Sequence, residues 1–308
     1  MGTIRHSPQE ISGAGFLEDR QAPSGRRRAV RHGPRASHEA RVERFYSHGV
    51  ERYGSFHDNY LNFGLWEPGC AIFVEAAEAL IERVAATIAL SSDSVLLDVA
   101  CGMGSQDRFL MRRFGPRAIE GLDLTAKHIA IAQRRNPYPN VTYRVGDACA
   151  LPFPDGAFTH VMAIEGIVHF NTRERFFREA HRVLAPGGRL GASDFFLGRP
   201  PRNAIEERLL RWCIAAWHVP RENASTVEAY RAALEGSGFV DVHLEVVSDR
   251  VIPGYYAEQM RPEIRRQLYA IRGWIIGRLS HVIDALMYRL YRAGLVGYLL
   301  VSAQKAPE

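Results

Sequence analysis

From residue 94 onward the apolar positions alternate between two rhythms. Compact apolar runs over 94–99, 118–122, 141–145, 158–164 and 189–193 predict strands. Between them, 106–113, 126–135 and 172–184 place apolar residues at helical spacing. Strand, turn and helix in this alternation predict an α/β fold, an open and mostly parallel sheet with helices on both faces. A ligand of such a sheet lies at the carboxyl ends of the strands, near the switch in strand order. Upstream, 37–53 and 70–86 repeat at helical spacing around the aromatic turn Tyr60-Leu-Asn-Phe-Gly-Leu-Trp66, which Pro68-Gly69 ends. Downstream come a helical excursion (201–236), a strand (240–247), an amphipathic helical stretch (256–292) and a last strand (297–303).

The 308 residues thus divide into a basic, mostly disordered tail (1–38), an N-terminal helical lid (39–90), a sheet core (91–200) and a helical cap with the final strands (201–308). Net charge is +5, but seven Arg against three acids fall in residues 1–38. The remainder is close to neutral and offers no broad basic face, which argues against nucleic acid as a partner. Arg, Glu or Asp interrupt every apolar run well before the roughly 18 residues of a membrane span, so no integral membrane segment is expected. Cys70, Cys101, Cys149 and Cys213 are far apart and form no CxxC pair, so neither a metal site nor a disulfide framework is expected. A cytoplasmic setting fits that usage, and the N-terminus lacks the continuous apolar core of a secretory signal. A homo-oligomer is left open.

The candidate chemistry begins at Asp98-Val-Ala-Cys-Gly-Met-Gly104, where an apolar strand runs into Gly102 and Gly104. Such a turn lets a ligand lie against the main chain. Alone it equally suits a nucleotide or an ordinary tight turn. A dinucleotide fingerprint needs a third glycine where Asp107 stands, and no Walker A pattern exists. Asp123 then ends the second strand, where a carboxylate can accept ribose hydroxyls. Asp147 follows the third strand. Each acid singly reads as a loop residue or helix cap, but three at successive strand ends behind one glycine turn form a series.

With Gly146-Asp147-Ala…Leu-Pro-Phe, Phe158-Thr-His-Val and Arg182-Val-Leu-Ala-Pro-Gly-Gly-Arg189, residues 94–194 resemble the class I S-adenosylmethionine-dependent methyltransferases. Thr159 stands where that family usually has an acid. The resemblance implies a Rossmann-like seven-stranded sheet with an antiparallel last strand, and S-adenosylmethionine as cofactor. It places Asp98, Gly102 and Gly104 at the methionine portion with Gln106 nearby, Asp123 and Leu124 at the ribose, and Asp147 and Ala148 at the adenine.

The flanks resemble the sterol, tocopherol, phosphobase and macrolide-sugar groups of that family. The Tyr60–Trp66 turn is similar to the segment that closes over the cofactor there, which brings in Tyr60 and Asn62. Met162-Ala-Ile-Glu-Gly-Ile-Val-His169 resembles their Glu-x-x-x-His element. His169 is the candidate base, since an imidazole takes a proton at neutral pH. Glu165 is a candidate to contact the cofactor or a developing cation, and Tyr46 resembles the tyrosine that pairs with this His in phosphobase enzymes. His48 and His57 read as surface or loop residues. Trp212, Trp217, Tyr255, Tyr256 and Tyr269 read as core or as the wall of an acceptor pocket. The basic stretch 261–292 reads as packing on the sheet or another subunit in preference to a membrane surface. The expected activity is methyl transfer to carbon or oxygen of a bulky, apolar specialised metabolite. The alternatives are a lipid- or sterol-directed enzyme at a membrane surface and a non-catalytic cofactor-binding module.

Overall fold

The computed structural model describes residues 36–50 and 56–308, so nearly all of the expected tail and Tyr53 lie outside the described residues. The five core strands form as β1 (Val95–Val99), β2 (Ala118–Asp123), β3 (Val141–Val145), β4 (Phe158–Ile164) and β5 (Leu184–Leu197), and β6 (Phe239–Val246) and β7 (Val296–Lys305) complete one sheet. Its order is β3-β2-β1-β4-β5-β7-β6. Neighbours from β3 to β5 are parallel, and β7 runs antiparallel to both β5 and β6. This is the seven-stranded sheet with an antiparallel last strand that the sequence motifs implied. β5 outruns its apolar stretch because its pairing with β7 continues from Arg189 to Leu197. Ladder bonds carry a strand where hydrophobic pattern alone cannot.

Before the sheet lie α1 (His38–Ser47) and α2 (Phe73–Thr87), and within the alternation lie α3 (Ser105–Arg113), α4 (Ala126–Arg135) and α5 (Arg173–Val183). An insertion of α6 (Ala204–Ala216) and α7 (Val227–Gly236) precedes β6, and α8 (Ser248–Met260), α9 (Pro262–Arg272) and α10 (Trp274–Arg292) precede β7. Two helical expectations change. The helix expected over 37–53 stops at Ser47, because His48 turns extended and Gly49 takes φ 72°. The stretch expected over 256–292 is divided among three helices, broken where Pro262 opens α9 and where Gly273 takes φ 81°. The described residues from 36 onward fold as one compact unit.

Strand alternation sorts the core. Leu96 and Met162 face one side, with Leu80, Ile81 and Val84 of α2. Leu97, Val161 and Ala163 face the other, with Phe176 and Phe177 of α5 and Leu234 of α7. Each such side chain, fully buried, contributes roughly 1.5–3 kcal/mol.

One buried ion pair ties the insertion to the sheet. Arg173 Nε donates to Asp194 Oδ2 at 2.8 Å, Nη2 to the Phe195 carbonyl at 2.8 Å and Nη1 to Ser225 Oγ at 3.0 Å and to the Asn223 carbonyl. The Tyr230 hydroxyl donates to the same Asp194 oxygen at 3.1 Å. Asn223 Nδ2 in turn donates to the carbonyls of Val168 (3.0 Å) and Phe170 (2.8 Å). Arg173 is 3% exposed and Asp194 0%, so neither charge has water as a substitute partner. Arg173→Met should therefore destabilise the fold by roughly 3–5 kcal/mol, because it strands a buried carboxylate. Urea unfolding measures this. Recovery in Arg173→Met/Asp194→Asn is expected, and a single-variant loss below about 1 kcal/mol would refute the account.

Candidate active site

The carboxyl ends of β1, β2, β3 and β4 converge on a cavity of about 320 Å³ that continues under α1, α6, α9 and α10. It opens where β1 and β4 diverge in strand order. The turn after β1 makes room for it. At Gly102, φ 56°, an added Cβ would meet only Leu61 Cδ1 at 3.4 Å, so the main chain faces open cavity. Gly104 has a different reason, since a Cβ there would sit 2.6 Å from the Tyr143 hydroxyl oxygen.

Asp123 is held ready at the end of β2. Its Oδ2 accepts the Gly102 N–H at 3.0 Å and its Oδ1 the Thr125 N–H at 2.7 Å, with His128 Nδ1 at 3.4 Å from Oδ1. Burial alone would raise this carboxyl, but His128 and the two N–H groups outweigh it and hold the pKa below the ordinary value. The ionised group keeps about two of its four lone-pair positions for a ligand. Asp147 lies beside the same cavity, its Oδ1 accepting the Cys149 N–H at 2.8 Å, and Leu124 and Ala148 line it too.

Asp98 and Gly104 are not among the residues that line the cavity. Asp98 is fully buried behind the turn, and Gln106, which does line the cavity, donates to its Oδ2 at 2.5 Å. Burial, with Asp107 alongside, pushes Asp98 well above the carboxylate range, and burial lifts Asp107 to about 6. Asp98 orients Gln106 and the turn.

After β4 the chain bends through Glu165 in a left-handed conformation, φ 57°, which a non-glycine residue adopts only under constraint. Its Oε1 accepts the Phe63 N–H at 2.7 Å and the Tyr298 hydroxyl at 2.7 Å. The aromatic turn is thereby fastened over the sheet. Burial raises this carboxyl to about 8, and those two donors only partly offset it. Tyr60 and Asn62 line the cavity from the same turn. The Tyr60 hydroxyl donates to Glu78 at 2.8 Å, and Asn62 Oδ1 accepts the Gly64 N–H at 2.9 Å.

One further bend brings His169 against Tyr46, with the Tyr46 hydroxyl 2.8 Å from Nε2. The His38 ring meets the His169 carbonyl at 2.7 Å, and Asn171 donates to Glu39 at 2.9 Å, so α1 is pinned to this loop at three points. Burial, with smaller contributions from His38 and His218, pushes the His169 imidazole down to about 4. It is neutral and accepts hydrogen bonds at physiological pH.

The far part of the cavity is largely apolar. Phe63 stacks on Tyr255 at 3.6 Å and meets Trp217 at 5.9 Å. Trp217 and Tyr255 line the cavity, whereas Trp212 is exposed, Tyr256 stacks on Tyr288 and Tyr269 packs on His281. His48 is exposed, but His57 is not a free surface residue. It stacks on Phe73 at 3.8 Å, and its Nε2 lies 3.5 Å from Glu258. The residues not foreseen are Tyr298, His38 and Asp284. Asp284 lines the cavity with Arg272 nearby, and burial raises it to about 7. An acid interrupting Val282-Ile-Asp-Ala-Leu-Met287 was the signal for it. Among the described residues no group of His, Cys, Asp and Glu is placed to hold a metal ion.

Open main chain at Gly102, ionised Asp123 and a cavity running on into apolar walls fit a nucleoside-bearing cofactor with an acceptor beyond it. A family model described as a methyltransferase domain matches residues 97–192. Erythromycin 3''-O-methyltransferase of Saccharopolyspora erythraea is 34% identical over 205 residues, 63% of this chain and 66% of that relative, so the chain spans just under two thirds of its length. Sterol 24-C-methyltransferase of Neurospora crassa is 27% identical over 267 residues, 82% of this chain and 69% of that relative. Among solved structures, the cyclopropane synthase MmaA2 of Mycobacterium tuberculosis matches with TM-score 0.74 at 18% identity, over 89% of this chain and 100% of that one, a likeness of fold alone. The sheet is Rossmann-like. Residues 97–192, which run from β1 into β5, are thus similar to a methyltransferase domain.

Two outcomes are expected. Asp123→Asn should weaken S-adenosylmethionine binding by about tenfold to a hundredfold in isothermal titration, and unchanged affinity would remove Asp123 from the site. Glu165 holds its proton more tightly in the folded chain than at its ordinary value of 4.5. Its contribution to stability is therefore full below pH 4.5 and is lost as pH rises through about 8. In thermal melts between about pH 5 and 9, Glu165→Gln should lose less stability than the native protein, and parallel curves would contradict the raised pKa.

Proposed function

We propose that this protein transfers a methyl group from S-adenosylmethionine to a hydroxyl oxygen, or an activated carbon, of a bulky and largely apolar specialised metabolite of polyketide or terpenoid type. The observation that carries this reading is the Tyr46–His169 pair, 2.8 Å apart, in the wall of a cavity that also holds ionised Asp123. Bound S-adenosylmethionine supplies a methyl carbon made electrophilic by its sulfonium. Asp123, Gln106 and the Gly102 main chain are the residues that would hold it, with Asp147 and Ala148 at the adenine.

The chain's own residues manage the acceptor and one proton. The aromatic turn, fastened by Glu165, keeps water from the reacting end. Apolar side chains of α6 and α10 hold the acceptor in line, and holding it so is a large part of the rate. As the acceptor oxygen gains its methyl group its proton must leave, and the Tyr46 hydroxyl with His169 Nε2 receives it. An imidazole pushed down to about 4 is a weak base. Its contribution therefore falls at the lower end of the roughly 10²–10⁴-fold range for general base catalysis.

A carbon acceptor is the second reading, favoured by Glu165 set in the cavity wall beside Tyr298; burial keeps this carboxyl protonated near neutral pH, and on losing its proton it would steady positive charge on carbon. The erythromycin and sterol relatives carry an oxygen and a carbon acceptor respectively in their names. Four free cysteines support a reducing, cytoplasmic setting.

The test is methyl transfer from labelled S-adenosylmethionine to macrolide, polyketide and sterol acceptors. His169→Ala should lower kcat about a hundredfold and leave S-adenosylhomocysteine affinity unchanged, with Tyr46→Phe intermediate. Equal loss of both properties would make the pair structural, and no transfer to any acceptor would favour a non-catalytic module. Because His169 stays neutral down to about pH 4, kcat should show no acid limb near pH 6.5, the ordinary histidine value. A fall in kcat centred there would contradict the burial of this imidazole.

A further inference from the structure

Among the described residues, eight of the thirteen large apolar side chains left exposed lie on two packed helices, α6 and α10. On α6, Ile205 is 72% exposed and Trp212 follows two turns later. On α10, Trp274 (64%) and Ile275 (74%) open the helix, and Leu279 and Val282 continue the stripe at helical spacing. The opposite faces of both helices behave differently: Leu210 and Cys213 of α6, and Asp284 and Met287 of α10, line the cavity. No helix of the described residues is long and apolar enough to cross a membrane. An apolar stripe of this size on a soluble face marks a contact surface.

Charge selects the partner. Residues 261–282 hold five Arg and a single acid, Glu263, and Arg265, Arg266 and Arg278 are exposed. A second copy docked here about a two-fold axis would set this arginine-rich stretch against itself. Residues 1–38, with seven Arg against three acids, carry the same sign and do not complement it. Aromatic and branched apolar residues edged by arginine match the boundary between anionic headgroups and acyl chains. We propose that the α6–α10 face rests on an anionic lipid surface. The inference does not depend on which acceptor is methylated. Its one link to that reading is that the inner faces of the same helices line the acceptor end, so an acceptor dissolved in lipid would meet the enzyme there.

The experiment is co-sedimentation of the full chain, loaded with S-adenosylhomocysteine, with vesicles of phosphatidylcholine containing phosphatidylglycerol and with vesicles of phosphatidylcholine alone. The native protein should partition onto the anionic vesicles, less so in high salt. Trp274→Glu/Ile275→Glu should partition about tenfold less or lower, and Arg265→Ala/Arg266→Ala should fall by a similar factor. Both variants should keep native S-adenosylhomocysteine affinity, which reports separately on the methyltransferase reading. Changing Arg26, Arg27 and Arg28 together to Ala should leave partitioning unchanged. The proposal is overturned if the native protein stays in the supernatant, or if the Trp274/Ile275 variant binds as the native does. It is equally overturned if the tail variant alone releases the protein. Sedimentation velocity showing a native dimer that the Trp274/Ile275 change dissolves would assign the face to a second copy.

Discussion

The buried pair of Arg173 and Asp194 is the constraint on which the site depends. A guanidinium and a carboxylate shut away from water are tolerable only when every donor and acceptor around them is matched. Meeting that condition draws four segments to one point: the start of α5, the end of β5, the loop before α7, and Tyr230 on α7. Asn223, fixed by the same network, then takes hold of the carbonyls of Val168 and Phe170 on either side of His169. The imidazole is thus placed by charges it never touches. Packing alone would leave a loop bearing a strained Glu165 and a buried histidine free to relax into less costly conformations.

Around that frame, carboxyl groups of one chemical kind reach opposite states through their surroundings. Asp123 sits among N–H donors and beside His128, which outweigh its burial and keep it ionised. Glu165 has two donors as well, the Phe63 N–H and the Tyr298 hydroxyl, but burial, helped by the charge of Asp194, wins. The difference separates the ends of the cavity: a fixed anion at one, and a largely neutral, apolar wall at the other. Environment, not residue type, assigns the roles.

That distinction also governs how much was legible beforehand. The sheet could be read because strands buried on both faces show as compact apolar runs, and the glycine turn and strand-end acids could be placed because they follow directly from strand ends. Gly102, Asp123 and Asp147 line the cavity. Asp98 does not, since motif position fixes a residue along the chain but not the direction of its side chain. Beside Asp107 that carboxyl turned inward to Gln106. Tyr298, His38 and Asp284 enter the site from distant chain positions, and no local pattern encodes such meetings. The break at Gly273 was hidden for another reason, as apolar spacing continues across it.

The division of labour between sheet and insertion follows from the same physics. The cofactor end is built of strand ends whose positions are locked by ladders on both sides, so a change there disturbs the whole sheet. The far end of the cavity is lined from α6, α9 and α10, helices that pack on one another and touch the sheet chiefly through α8 and β7. Their inner faces can be rewritten, Leu210 or Met287 exchanged for another shape, without loosening Gly102 or Asp123. Asp284 shows that freedom in use, as a carboxyl placed in an apolar wall with Arg272 nearby. On the proposed reading, selectivity for the acceptor resides in these helices, while the sheet holds the cofactor and Arg173 keeps His169 between them.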